Sequence, residues 1–294
     1  MENERYILAF GGSGWDCTHK QRPDSSYSEI PDEELPGSKG ANQAVAAARA
    51  GYRVKMITIV GGDDVGKKII GNFQNNNIDT SHVKVINGIK SDSCHIYVSL
   101  DGENDIIRSK EAIKKFTVEM VHENEDLIKN AQCVITHSKL PKPVYEELIN
   151  FCYENGVPTF FTPCPAAGID PEILKKSTYI MANYLEAMEV ANSQTVEEAL
   201  NAYPNLIITA GENGVFYLDE NGMVYHEPAI RPEVLLDTTG AGDTFCGNFA
   251  TALLKGYSKP DAVRRGVMAA TLKLSSLGAQ PGMPYEDDID DFVL

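Results

Sequence analysis

The sequence predicts an α/β protein with a mainly parallel central sheet and helices on both of its faces. Three observations lead there. Short apolar runs of strand length alternate with segments of helical period along most of the chain. Glycine-rich blocks fall just beyond the ends of those runs, where open α/β sheets bind ligands. Two inserts interrupt the rhythm, one polar and proline-containing, the other alternating like antiparallel strands.

From the N-terminus, 6–10 reads as a first buried strand, and 16–36 as the polar, acidic insert, with Pro23, Pro31 and Pro36 and no helical period. An alanine-rich helix follows at 41–50, a strand at 54–60 and a helix at 65–75. The second insert, 84–108, has a hairpin turn signal at Asp101-Gly102. The alternation then resumes with strands at 133–136, 159–162, 179–182 and 206–209 and helices at 144–155, 185–191 and 195–202. Asn221-Gly222 joins 215–218 to 223–227 as a hairpin at the sheet edge, and 241–255 reads as a long helix. Internal repeats, low-complexity tracts and an interdomain linker are all lacking, so residues 1–294 are expected to form a single domain.

Composition narrows the function. With 43% hydrophobic and 23% charged residues the chain has the balance of a soluble globular protein. A net charge of −16 argues against nucleic acid or an anionic membrane as partner, since phosphate-rich surfaces need a basic face. The cysteines (Cys17, Cys94, Cys133, Cys152, Cys164 and Cys246) show neither close pairing nor a Cys-x-x-Cys, which fits reduced thiols in the cytoplasm. Neither a secretory leader nor a run of membrane-spanning length is expected.

The segment Asp237-Thr238-Thr239-Gly240-Ala241-Gly242-Asp243-Thr244-Phe245 carries the chemistry. Small residues at a helix start let free N–H groups approach a ligand, and the helix dipole attracts an anion. An aspartate inside such a site repels the anion, so binding it is not its task. It is placed instead to take a proton from a hydroxyl that attacks a phosphoryl group. The same residues also suit a plain helix start, where a first-turn acid is favourable for dipole reasons alone.

This segment resembles the C-terminal signature of the ribokinase-like (PfkB) carbohydrate kinases. Pro36-Gly37-Ser38-Lys39-Gly40-Ala41-Asn42-Gln43-Ala44 resembles their N-terminal signature, and Leu277-Gly278-Ala279-Gln280-Pro281-Gly282-Met283-Pro284 resembles the tail of the ribokinase branch. The three blocks stand in family order across the chain. The resemblance implies a three-layer αβα fold in which the inserts, at about 16–36 and 84–110, form a small β-sheet lid over the sugar. In the family such a lid is often shared across a homodimer. Here the first insert is short and lacks the usual glycine-glutamate-threonine run, which leaves the dimer open.

The resemblance also implies roles. Asp243 would be the catalytic base, with Gly240, Ala241 and Gly242 as the anion hole. Asp16, Gly37, Lys39, Gly40 and Asn42 would hold a sugar-like substrate. ATP would lie along Asn183, Thr209, Gly211, Gly214 and Gly242, with Glu186 organising Mg2+ through water. Asn183 and Glu186 equally spell a helix capping box. Asp237, Thr239, Ser276, Gly278 and Gly282 match a site for an activating potassium-type ion, for which oxygen ligands are suited.

Departures from the pattern gather on the sugar side. Gly14 stands where ribokinase has asparagine, Ser38 replaces a glycine, and Thr162 replaces an asparagine. Ser109-Lys110-Glu111-Ala112 replaces a Gly-Ala-Asn segment, and Lys139 takes the place of a substrate-binding glutamate. An ammonium in place of a carboxylate turns an acceptor into a donor of opposite charge. Ribose, another sugar, a polyol, a sugar acid and a nucleoside therefore all stay open as phosphate acceptors. A non-catalytic ligand sensor on the same scaffold is the rival from another class, and an intact Asp243 argues against it. An oxidoreductase built on Gly11-Gly12-Ser13-Gly14 fits poorly, because a polar, proline-containing segment follows where the dinucleotide fingerprint needs a helix.

Overall fold

The computed structural model describes residues 5–101 and 104–292. The chain opens with β1 (Ile7–Phe10), β2 (Gly14–Lys20), β3 (Glu33–Gly37), α1 (Lys39–Arg49), β4 (Val54–Gly61), α2 (Asp64–Asn75) and β5 (Val83–Ile86). Next come β6 (Ser93–Val98), β7 (Asn104–Ser109), α3 (Glu119–Glu123), α4 (Glu125–Lys129), β8 (Cys133–His137), α5 (Lys142–Glu154), β9 (Thr159–Thr162) and α6 (Pro171–Lys176). The remainder is β10 (Tyr179–Asn183), α7 (Tyr184–Ala191), α8 (Val196–Ala202), β11 (Leu206–Thr209), β12 (Val215–Leu218), β13 (Val224–Glu227), α9 (Ala241–Leu254), α10 (Lys259–Lys273) and α11 (Glu286–Asp290).

Nine strands form the large sheet in the order β13-β12-β11-β10-β9-β8-β1-β4-β5. From β11 to β5 every pairing is parallel, and only the β12–β13 hairpin edge runs antiparallel. Strand alternation sorts the side chains into two cores. Leu8, Phe10, Ile57, Val134, Phe161, Ile180 and Ile208 face one side, together with α5 and α8. Ile7, Ala9, Met56, Ile135, Phe160, Met181 and Ile207 face the other, beneath α1, α2, α9 and α10. The strand order reverses between β1 and β8, so the crevice beyond their carboxyl ends is the expected ligand position of such a sheet.

The two inserts meet in a second sheet of order β3-β2-β6-β7. β6 and β7 pair antiparallel, Ser93 with Ser109 through Val98 with Asn104. Gly102 of the expected turn lies outside the described residues. One boundary is corrected: Val83–Ile86 pairs with β4 in the large sheet, so the second insert contributes lid strands only from Ser93 onward. Its alternating residues suit an edge strand as well as a lid, and the alternation alone does not separate the two. A helix at Lys259–Lys273 has no counterpart in the sequence reading, although Ser258 caps it and Pro260 opens it.

Candidate active site

α1 begins at the switch point with almost no room to spare. A methyl group on Gly40 would stand 2.7 Å from the Gly12 carbonyl, and one on Gly11 would stand 2.7 Å from His137 Nε2. The Gly12 N–H donates to that ring nitrogen at 3.2 Å. Burial, and then the charges of Lys39 and Lys139, push the His137 pKa down to about 3, so the ring is neutral. Two departures from the family pattern are neighbours in space. A Cβ on Gly14 would come 3.4 Å from the Ser38 Cβ, in van der Waals contact. Ser38 adopts φ 76°, a conformation that favours glycine.

Asp243 stands in the first turn of α9 and is 6% exposed. Three side chains of the first turns of α1 converge on its carboxylate. Asn42 Nδ2 donates to Oδ2 at 3.0 Å; Gln43 Nε2 and Lys39 Nζ donate to Oδ1 at 3.2 and 3.3 Å. Lys39, Asn42 and Gln43 share a helix face by their spacing. The Asp243 charge raises the Lys39 pKa against the opposing effect of burial. Asn42 Oδ1 also accepts from Gln280 at 3.0 Å, so the amide links that residue to Asp243. Gln43, which also donates to Thr162 Oγ1 at 2.9 Å, and Gln280 went unnoticed in the sequence. Both lie inside the signature blocks, and that position is the signal that could have found them.

Asp16 comes from β2 of the lid, beside Gly37, where a Cβ would stand 2.9 Å from the Asp16 carboxyl carbon. Burial raises the Asp16 pKa, and the charges of Lys139 and Arg108 pull it back. Lys139 is exposed, and its charge lowers the pKa of both Asp16 and Cys164 against the effect of burial. Arg108, on β7, is a further cation there that the sequence did not single out.

On the other side of Asp243 a cleft of about 970 Å³ is lined by Asn183, Thr209, Gly211, Gly214, Arg231 and the Gly240–Gly242 turn, with Lys39 and Asp243 at its inner end. That volume suits a nucleotide-sized ligand. Gly240 has φ 81°, and a Cβ on it would stand 2.8 Å from the Ala279 Cα. Gly214 has φ 80° and abuts the Glu227 carbonyl, so close packing of the hairpin also requires it. Asn183 and Glu186 do form a capping box: Asn183 N–H donates to Glu186 Oε2 at 3.0 Å, and Glu186 N–H donates to Asn183 Oδ1 at 2.9 Å. The Glu186 charge nonetheless raises the pKa of both Lys39 and Cys164.

The loop matched to a potassium-type ion is occupied differently. Asp237 accepts from Thr239 N–H at 2.8 Å, from Thr239 Oγ1 at 2.7 Å and from Gly278 N–H at 2.8 Å. Burial alone would raise its pKa, but these bonds outweigh it and hold the carboxyl low. The backbone oxygens of Asp237 and Ser276 accept from the ammonium of Lys273, at 2.8 and 3.2 Å. The Lys273 ammonium thus already takes the backbone oxygens at two of the five positions matched to the ion, Asp237 and Ser276.

Residues 17–286 match the pfkB family carbohydrate kinase pattern. The chain is 33% identical to the ribokinase of Bacillus subtilis (strain 168) over 294 residues, covering 98% of this chain and 99% of that one. Among solved structures, the ribokinase of Arabidopsis thaliana, complexed with ribose and ATP, superposes with a TM-score of 0.88 at 23% identity, covering 98% of this chain and 99% of that one. The ribokinase of Thermotoga maritima gives 0.85 at 27% identity, with 97% and 98% covered. A fold with its strand reversal at a glycine-lined crevice, a buried aspartate at a helix start and this match over nearly the whole length agree: the chain belongs to the pfkB family of carbohydrate kinases.

Proposed function

We propose that this carbohydrate kinase transfers the γ-phosphoryl group of Mg-ATP to a hydroxymethyl group of a sugar or sugar-like substrate, ribose or a relative. The observation that carries the proposal is the Asp243 carboxylate, buried at the start of α9 and held by Lys39, Asn42 and Gln43 between the nucleotide-sized cleft and the lid. Asp243 takes the hydroxyl proton as the oxygen attacks phosphorus. The amides of Gly240, Ala241 and Gly242 receive the charge that gathers on the transferring group. Lys39 compensates the buried carboxylate and orients it. Asp16, Gly37 and Gly40 shape the sugar side, and Asn183, Thr209, Gly211 and Gly214 the nucleotide side. Glu186 would hold magnesium through water, and the ion would supply neutralisation of the phosphate charge.

Ribose is supported by Asp16 and Lys39 and by the ribokinases among the relatives. A sugar acid is the second reading, favoured by Lys139 and Arg108, two cations beside Asp16. The charge of −16 and free thiols support a cytoplasmic protein without nucleic-acid or membrane partners. Among the described residues no helix is long and apolar enough to cross a membrane. A homodimer through the lid is supported by the exposed Ile107, at 58%, on β7. ADP release with Mg-ATP across pentoses, hexoses, polyols, sugar acids and nucleosides tests the proposal. One acceptor should turn over, and Asp243→Asn should lower its kcat by about 10²–10⁴ with the unfolding temperature little changed. ATP binding without turnover of any acceptor would count for a ligand sensor instead.

A further inference from the structure

Lys273 is fully buried, at 0% exposure, although lysine is among the residues least often found inside. It is the last residue of α10, where the dipole favours a cation, and the ordinary task of a lysine at that place is to cap its own helix. Its bond to the Ser276 carbonyl is of that kind. The 2.8 Å bond to the Asp237 carbonyl is not, because it crosses to a turn 36 residues earlier in the chain. That turn leads directly into Gly240–Gly242, and its carboxylate also holds the Gly278 N–H. Three residues after Asp237, Gly240 rests against Ala279. The ammonium thus joins the two loops whose contact sets the anion hole.

We propose that Lys273 supplies this loop, in covalent form, with the charge and the donor contacts that a potassium-type ion would give, so that the protein needs no activating monovalent cation. An ammonium and a potassium ion are of similar size, and both are satisfied by carbonyl oxygens. The catalytic consequence rests on the kinase reading; the binding consequence does not.

The test compares the wild type, Lys273→Ala and Lys273→Met in potassium chloride and in choline chloride at equal concentration. Thermal unfolding is read first, because it needs no turnover. The wild type should melt at the same temperature in both salts, and Lys273→Ala should melt several degrees higher in potassium than in choline. In the ADP-release assay the wild-type rate should not depend on the salt. Lys273→Ala in choline should lose on the order of 10²-fold, the scale of one lost anion-hole donor, and recover most of it in potassium. Lys273→Met keeps the stem and blocks the space, so it should be impaired in both salts. Potassium-dependent melting or turnover of the wild type would overturn the proposal. So would a Lys273→Ala protein that melts alike in both salts, or one that folds in neither. A potassium-dependent melting shift without any turnover would uphold the cation role and count against the kinase reading alone.

Discussion

Asp243 is held by a line of amides as well as by a charge. Asn72 Nδ2 donates to Gln280 Oε1 at 2.8 Å, Gln280 Nε2 donates to Asn42 Oδ1 at 3.0 Å, and Asn42 Nδ2 donates to Asp243 Oδ2 at 3.0 Å. Each amide uses its oxygen on one neighbour and its nitrogen on the next, which fixes the rotation of all three. Gln280 belongs to the tail block and touches neither Asp243 nor the cleft, so its influence on the reaction runs through Asn42. Asn42→Ala removes a hydrogen bond to a buried charge, a loss of about 1.5–3 kcal/mol or roughly 10- to 100-fold in kcat. Gln280→Ala should cost a smaller factor by freeing the Asn42 amide. The double variant should then be no worse than Asn42→Ala, giving a coupling energy in the range of about 0.5–3 kcal/mol. A double-mutant cycle on kcat measures it, and strictly additive losses would sink the relay. The signature blocks marked Asn42 as a substrate ligand, and its partners could not be read from the chain because they come from α9 and from a loop, each more than two hundred residues away.

The same convergence depends on how two helices meet. α1 and α9 pack where Gly247 faces the alanines of α1: a Cβ on Gly247 would stand 2.6 Å from both the Ala46 Cβ and the Ala47 N. Small residues on both helices bring the axes close enough for side chains in the first turn of α1 to reach a carboxylate in the first turn of α9. Gly247→Val should overpack this seam and cost about 1–3 kcal/mol, or roughly 2–4 °C of melting temperature per kcal/mol. It should also lower kcat by displacing Asp243 from its donors. Unchanged melting together with unchanged kcat would show that the seam is loose. At this scale the sequence was legible where pattern and burial agree. Thr159–Thr162, Leu206–Thr209 and Val215–Leu218 fall where their apolar runs predict. Residues 84–86 were read into the lid because an outer strand with exposed middle residues has the same alternation as a free hairpin. Lys273 was hidden for a related reason: a lysine at a helix end reads as solvated, and only the fold brings the Asp237 turn over it.

At the scale of the whole molecule the crevice is shared by two sheets. Asp16 and Gly37 come from the lid, and Asp243, Lys39 and the nucleotide cleft come from the large sheet with its helices. The lid rests on the same loop that closes the anion hole, since a Cβ on Gly278 would run into the Leu35 side chain of β3. The two halves can therefore be perturbed separately. Gly37 has ordinary backbone geometry, so alanine there brings no strain of its own; the atoms nearest its methyl would all belong to the Asp16 carboxyl group. Gly37→Ala should turn Asp16 away from the sugar hydroxyls proposed to donate to it. Losing a bond to a charged group predicts a KM for the sugar raised about 10- to 100-fold. The ATP side is built from the ends of β10 and β11 and the start of α9, none of which touches Gly37, so the KM for ATP should stay where it is. Titrating each substrate at saturating levels of the other gives both values. A rise confined to the sugar would mean that the lid grips the acceptor and leaves the nucleotide alone. A rise in the ATP value, with or without the other, would mean that the lid sets the anion hole through Leu35 and Gly278, and that Asp16 is not the group that reads the sugar.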